Sequence, residues 1–426
     1  MSDTVPADRL AIDGGIPAKQ RPDPPMYPGG MLIDEEEEQA VLDVLRSKRL
    51  FRYYGPAPGP SRVQELEQAF ATVMGTRYAL AVSSGTAALL CGLQGIGVGP
   101  GDEVIVPAYT WISSAAAVAA LGGIPVLAEV DESLTLDPPD VERKITPYTA
   151  AIMPVHMRGV PCRMDELLAI ARKHNLKVIE DVAQADGASY HGRRLGSLGD
   201  VGCFSLQFNK ILTSGEGGMV ITNTTDIWQR ALMFHDVVAG QRNNIPPGET
   251  LLGINLRMPE LLAAVMLVQL RRLDGLLAAM RTRKRTIIAG IAEVCRNKGV
   301  VLQDIPDPEG DAAVALILFM PNAGLASRVA DALRAENVGA SVIYRPDVVD
   351  YHIYPHWAPI MNQRTWTPRG GPWRWAQRPI SYSPDMCPKT LSLLGRAVHL
   401  NVNPLFTDED IGSLIRAINR VLTALL

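Results

Sequence analysis

The sequence predicts an α/β protein: a three-layer α/β/α large domain around a mainly parallel sheet, followed by a smaller α+β domain. Three observations carry this. The chain has 426 residues, and at roughly 100–200 residues per domain that length calls for two or three cores. From residue 77 onward, short apolar runs alternate with helical segments, the pattern of parallel strands covered on both faces. Apolar residues make up 47% and charged residues 20%, so enough apolar surface exists to offset the entropy of ordering.

The elements follow in order. Residues 1–30 are rich in Pro and Gly and read as an arm that packs on the rest. Asp34 to Lys48 opens acidic and carries Val41, Leu42, Val44 and Leu45 at helical spacing. A second helix is expected from Ser61 to Val73. Strands are expected at 78–82, 103–106, 125–130, 150–155, 177–180, 201–205 and 219–222. Helices are expected at 86–93, 113–121 and 164–174. Met258 to Ile291 is long, apolar and helical, with Pro259 suited to its first turn. Beyond it lie a strand at 312–319, a helix at 324–336, a strand at 339–343 and a closing amphipathic helix at 408–426. The domains are therefore drawn as 31–275, large, and 276–426, small.

Composition excludes several classes. Lys plus Arg number 41 against 45 Asp plus Glu, a formal net charge of -4, unlike a nucleic-acid-binding protein with its basic face. The cysteines Cys91, Cys162, Cys203, Cys295 and Cys387 are odd in number and form no CxxC pair, which disfavours a disulfide framework or a zinc ribbon. The first residues carry no basic segment followed by an apolar core, and no run of 18 apolar residues occurs. A cytoplasmic location without membrane contact is expected.

Three segments could carry chemistry. Ser83-Ser84-Gly85-Thr86 lies where a strand turns into a helix, which suits either a phosphate or an ordinary helix cap. Asp181 ends an apolar strand, at the edge where α/β sheets gather ligands. It could pair with a protonated heterocycle nitrogen or cap the next helix. Lys210 follows a mainly uncharged stretch, five residues after Ser205 and just before Gly215-Glu216-Gly217-Gly218. It is either a surface lysine or a desolvated amine nucleophile. A phosphate cradle, an anion for a pyridinium nitrogen and a Schiff-base lysine are the parts a pyridoxal phosphate enzyme needs, and they stand here in one order.

With these parts the chain resembles the DegT/DnrJ/StrS sugar aminotransferases, a branch of the fold-type I pyridoxal phosphate enzymes. The resemblance runs from about Leu10 to the C-terminus. It is strongest in Ser84-Gly85-Thr86-Ala87-Ala88-Leu89, Pro107-Ala108-Tyr109-Thr110-Trp111, Pro154-Val155-His156, Glu180 to Ala185, Gly196-Ser197-Leu198-Gly199-Asp200 and Lys210 to Gly218. It implies roles position by position. Lys210 would form the Schiff base with the cofactor and shuttle the proton; Asp181 would hold the pyridine nitrogen protonated. Trp111 would stack on the ring and Gln184 would contact its phenolic oxygen. Gly85, Thr86 and Ser205 would bind the phosphate, and Asn255 would reach the phosphate of a neighbouring subunit, which implies a homodimer with shared active sites. His156, Arg158 and Tyr54 are expected near the substrate.

The sequence departs from the family in two places. Arg158 stands where an aromatic often follows the Pro-Val-His block, and Leu206-Gln207-Phe208-Asn209 replaces an aromatic-rich approach to the lysine. With Ile12-Asp13-Gly14-Gly15-Ile16-Pro17 and Thr213-Ser214-Gly215-Glu216, the chain is most similar to the branch of glutamine:scyllo-inosose aminotransferases and aminohydroxybenzoate synthases. The resemblance implies transfer of an amino group from glutamine or glutamate to a keto-cyclitol or keto-sugar, in secondary-metabolite or aminosugar biosynthesis. Rival readings are a pyridoxamine-dependent dehydratase, which carries His in place of the lysine, an aromatising dehydratase that keeps it, and a non-catalytic partner subunit. No metal is expected: His352 and His356 are four apart, but Pro355 interrupts them. The His- and Trp-rich segment 351–375 is expected to cover substrate or meet a second subunit.

Overall fold

The computed structural model describes residues 9–56, 58–368 and 370–426. Its thirteen strands are β1 (Tyr78–Val82), β2 (Glu103–Pro107), β3 (Ile124–Ala128), β4 (Thr149–Ile152), β5 (Lys177–Asp181), β6 (Ser189–Tyr190), β7 (Arg193–Arg194), β8 (Val201–Ser205), β9 (Gly218–Thr222), β10 (Val301–Leu302), β11 (Ala315–Phe319), β12 (Ala340–Val342) and β13 (Ala397–Asn401). Seven of them form one sheet in the order β1-β9-β8-β5-β4-β2-β3. All its pairings are parallel except those of β9, which runs antiparallel to β1 and β8.

Every residue of β2, β3, β8 and β9 is buried, which is why these strands read as apolar runs with polar residues only at their ends. The two-residue period of a strand divides its side chains between two cores. Leu80, Val82, Val104 and Val106 pack into one; Ala79, Ala81 and Ile105 pack into the other. Helices Gly85–Gly95, Ser113–Ala120 and Thr225–His235 cover the first face, and Arg62–Met74 and Met164–His174 the second. The fully buried Glu180 ties the sheet to the loop after β7. It accepts hydrogen bonds from the backbone N–H of Gly196 (2.8 Å), Leu198 (2.8 Å) and Gly199 (2.6 Å).

The helix Glu260–Lys298 starts directly after Pro259 and runs 39 residues, about 58 Å at 1.5 Å per residue. Met266, Leu270, Leu273, Leu277 and Met280 pack under the large sheet, whereas Ile287, Ile291 and Cys295 pack on the small unit. The change of partner falls between Met280 and Ile287 of one continuous helix. The small unit is an antiparallel sheet, β10-β11-β13-β12, covered by helices Ala323–Ala335 and Asp408–Leu425.

Several elements differ from expectation. The strand expected from Ala312 begins at Ala315, because Ala313 has a φ of 61° and cannot extend a strand. Helices Pro138–Lys144, Thr225–His235 and Pro388–Gly395 and strand β13 were not anticipated; each is short and polar-interrupted, so its packing in the fold outweighs its local signal. Residues 1–8 of the expected arm lie outside the described residues. The remainder does pack. Leu10 is buried in the small unit, Glu336 accepts from the N–H of Ala11 and Ala18, and Gly29 N–H donates to the Lys210 carbonyl at 3.2 Å. Among the described residues, no helix is long and apolar enough to cross a membrane.

Candidate active site

The parallel strands deliver their carboxyl ends to one edge of the sheet, and a cavity of about 380 Å³ opens there. Segments far apart in sequence meet in it: the turn after β1, the loops after β2 and β4, the end of β5, the loop after β8 and the stretch at His352.

The turn after β1 leads into helix Gly85–Gly95. Ser84 caps it by accepting the Ala87 N–H at 3.0 Å, and Gly85 and Thr86 form its first turn. The positive end of the helix dipole and its free N–H groups therefore face the cavity. Gly85 lies against Ser205 at the end of β8: a Cβ built on it would sit 2.6 Å from Ser205 Cβ and 2.9 Å from Oγ. Thr86 Oγ1 donates to Ser113 Oγ at 3.1 Å. The result is a small polar cradle with a cationic character, suited to an anion.

Asp181 ends β5 and is 5% exposed. Its Oδ2 accepts from Ser114 Oγ at 2.8 Å and its Oδ1 from Ala183 N–H at 3.1 Å. Burial raises its pKa; these two hydrogen bonds and the charge of Lys210 oppose that rise. A carboxylate so placed gains from a cationic N–H donor in the cavity. Lys210, in the loop after β8, is half-buried. Burial lowers its pKa, against the attraction of Asp186 and Asp181 and with added repulsion from Arg158. Among the described residues its ammonium makes no hydrogen bond or ion pair, so this lysine is not a surface ion-pair partner.

Gln184 lines the same cavity and accepts the Arg158 N–H at 3.1 Å. Trp111 also lines it and is 46% exposed, which excludes a core packing role. Thus Gly85, Thr86, Trp111, Asp181, Gln184, Ser205 and Lys210 surround one space.

The other expected residues lie elsewhere. His156 is fully buried: Nδ1 accepts the Cys162 N–H at 3.0 Å, which leaves the proton on Nε2 to face Glu180 at 3.2 Å. The expectation of substrate contact is corrected here, because both ring nitrogens already serve the fold. Arg158 lies behind Gln184, with Nε donating to the Tyr109 hydroxyl at 3.0 Å, and does not line the cavity. Tyr54 is 70% exposed against Phe51, outside the cavity. Asn255 is exposed, bridges in β fashion to Asp236, and is outside it too.

Ser114 lines the cavity with no sequence signal tied to it; Glu216, in the Gly-rich turn after Lys210, and His352, in the segment expected to cover substrate or meet a second subunit, line it as well. His352 stood in the His- and Trp-rich segment, which the structure laces onto the Trp111 loop. Thr110 N–H donates to the His352 carbonyl at 2.9 Å and Ile112 N–H to the Tyr351 carbonyl at 3.0 Å. His356 faces away and accepts the Asp350 N–H at 3.0 Å. All five cysteines are free and buried, and burial raises the thiol pKa of Cys91, Cys203, Cys295 and Cys387.

Comparison with known proteins adds the following. The model of the DegT/DnrJ/EryC1/StrS aminotransferase family matches residues 31–365. An L-glutamine:2-deoxy-scyllo-inosose aminotransferase of Streptoalloteichus tenebrarius is 35% identical over 384 residues, covering 84% of this chain and 83% of that protein. The GDP-perosamine synthase of Caulobacter vibrioides is 47% identical over 220 residues, 51% of this chain, and the match spans only 58% of that protein's length. Among solved structures, a 3-amino-5-hydroxybenzoic acid synthase superposes with a TM-score of 0.78 at 28% identity, covering 95% of this chain and all of that one.

Proposed function

This chain belongs to the DegT/DnrJ/EryC1/StrS aminotransferase family, and from that premise we propose that it transfers an amino group from glutamine to a polyhydroxylated ketone, a keto-cyclitol ahead of a nucleotide-linked keto-sugar. Its cofactor is pyridoxal 5′-phosphate. One observation carries the reading: an unpaired amine, Lys210, and a buried carboxylate, Asp181, share a cavity with the helix N-terminus at Gly85.

The residues fit the cofactor. A glycine at 85 lets the helix start lie directly against Ser205, where any Cβ would clash, so both meet at one end of the cavity. Its phosphate would be held there by Gly85, Thr86 and Ser205, and its ring between Asp181, Gln184 and Trp111. When bound, pyridoxal phosphate supplies a carbonyl that exchanges for an amine and a ring that accepts the electron pair of a breaking C–H bond. The protein's contribution follows from its own groups. Asp181, a buried acceptor, would favour the protonated form of the ring nitrogen by accepting its N–H hydrogen bond, and Ser114 keeps that carboxylate in place. Lys210, its pKa lowered by burial, is the amine that would take a proton from substrate carbon and return it.

Glutamine as donor and a cyclitol as acceptor rest on the relative named for both. A homodimer, with Asn255 reaching its partner's phosphate cradle, is supported by the apolar surface around that residue: Leu252 is 89% exposed and Val237, Leu251 and Ile254 are exposed with it. Retention of Lys210 disfavours the lysine-lacking dehydratases.

Borohydride treatment of the protein reconstituted with pyridoxal phosphate is expected to fix the cofactor on Lys210, read by peptide mass spectrometry, and Lys210→Ala is expected to abolish this. No fixed cofactor in the wild type would sink the reading. Glutamine mixed with a panel of keto-cyclitols and nucleotide keto-sugars tests the acceptor; transfer to nucleotide sugars alone would overturn the cyclitol assignment.

A further inference from the structure

We propose that His352, held by Asp350, reads a hydroxyl group of the keto acceptor, with Nε2 accepting the hydroxyl hydrogen. The inference rests on the aminotransferase reading and deepens it.

The geometry leaves His352 little choice. Its ring lines the cavity that holds Lys210 and Asp181. Asp350 Oδ1 receives both the His352 backbone N–H at 2.9 Å and the ring Nδ1 at 2.7 Å. An ionised carboxylate only accepts, so Nδ1 must carry a hydrogen. Asp350 is ionised: although burial opposes it, the hydrogen bonds from His352 and the charge of Arg158 hold it below the usual carboxylate range. The charged or titratable groups acting on His352 are Asp350, Arg158 and Lys210, and His399 lies close enough to feel its charge. Burial, aided by Arg158 and Lys210, lowers the His352 pKa against the pull of Asp350. The ring is then neutral near pH 7, and Nε2 is a bare lone pair with no partner among the described residues.

The position of that lone pair is fixed. The His352 carbonyl is tied to Thr110, and the ring stands 5.0 Å from Trp111. Glu216, another carboxylate-bearing side chain in the cavity lining, is also an acceptor. Two acceptors suit a ligand rich in O–H donors and disfavour a carboxylate. The residue therefore acts on the polyhydroxylated ketone, not on the carboxylate of the amino donor.

Two measurements test this. In the protein without cofactor, proton–nitrogen NMR of the imidazoles is expected to show His352 as the Nδ1–H tautomer, and Asp350→Ala is expected to lose that preference. In the loaded enzyme, His352→Phe is expected to raise the KM for 2-deoxy-scyllo-inosose about tenfold, roughly one hydrogen bond, while the KM for glutamine changes less than twofold. His352→Gln, whose amide oxygen can accept, is expected to recover part of the loss. An Nε2–H tautomer in the wild type, or equal losses for glutamine and the ketone, would overturn the proposal while leaving the aminotransferase reading intact. No reaction of the wild type with glutamine would instead overturn that reading, and the substrate assignment with it.

Discussion

Ser114 Oγ donates to Asp181 Oδ2 at 2.8 Å and is itself paired with Thr110 Oγ1 at 2.8 Å. The strand-end carboxylate is thus aimed by a hydroxyl chain from the loop that carries Trp111. Ser114→Ala removes a hydrogen bond to a buried charge, worth about 1.5–3 kcal/mol. We expect the rate of the glutamine half-reaction to fall roughly tenfold to a hundredfold, with Asp181→Ala falling further. Single-turnover absorbance kinetics would check both, and an unchanged rate in Ser114→Ala would refute the aiming role.

Gly85 stands where any side chain meets Ser205. Gly85→Ala places a methyl 2.6 Å from Ser205 Cβ, so Ser205 or the helix start must shift within the proposed phosphate cradle. Cofactor affinity is expected to fall at least tenfold, about 1.4 kcal/mol, with the fold retained. Equilibrium dialysis with pyridoxal phosphate and circular dichroism separate the two effects.

Asp186 is fully buried just beyond the end of β5, and neither of its carboxylate oxygens has a hydrogen bond of good geometry. Burial lifts its pKa from 3.8 to about 8, against the attraction of Lys210 and the Leu212 N–H. The folded protein therefore keeps a proton that the unfolded chain releases, and stability falls as pH rises from about 4 to about 8. Asp186→Asn is expected to flatten this slope in the protein without cofactor. Its Tm should exceed that of the wild type at pH 8 and match it near pH 4. Parallel curves would contradict the burial argument.

Glu180 satisfies three backbone N–H groups and faces buried His156. Glu180→Ala strands those donors in the interior and is expected to cost about 3–5 kcal/mol. Urea unfolding would read this. A loss under 1 kcal/mol would mean that the 196–199 loop is held by other contacts.

Most of the parallel sheet was legible because strands buried on both faces are mostly apolar, as the Val104-Ile105-Val106 run of β2 and the Val126-Leu127-Ala128 run of β3 are. The boundaries were less legible where backbone conformation, not side-chain type, ends an element, as at Ala313. Glu180 and His156 illustrate a different limit. Their residue types suit catalysis and structure equally, and only their burial and partners separate the two.

By itself the sequence determined the order of the pieces: a Gly-Thr turn after one strand, Asp181 at the end of another, Ser205 and Lys210 after a third. These are local features, set by strand ends and loop composition, and they carry the family resemblance. Only the tertiary structure decided which of them share a cavity. Parallel crossovers bring Gly85, Asp181 and Lys210 to one sheet edge across more than a hundred residues. The return of the segment near residue 352 onto the Trp111 loop adds His352 from the far end of the chain. That return depends on backbone hydrogen bonds between remote segments, and such bonds leave no periodic trace in either stretch of sequence.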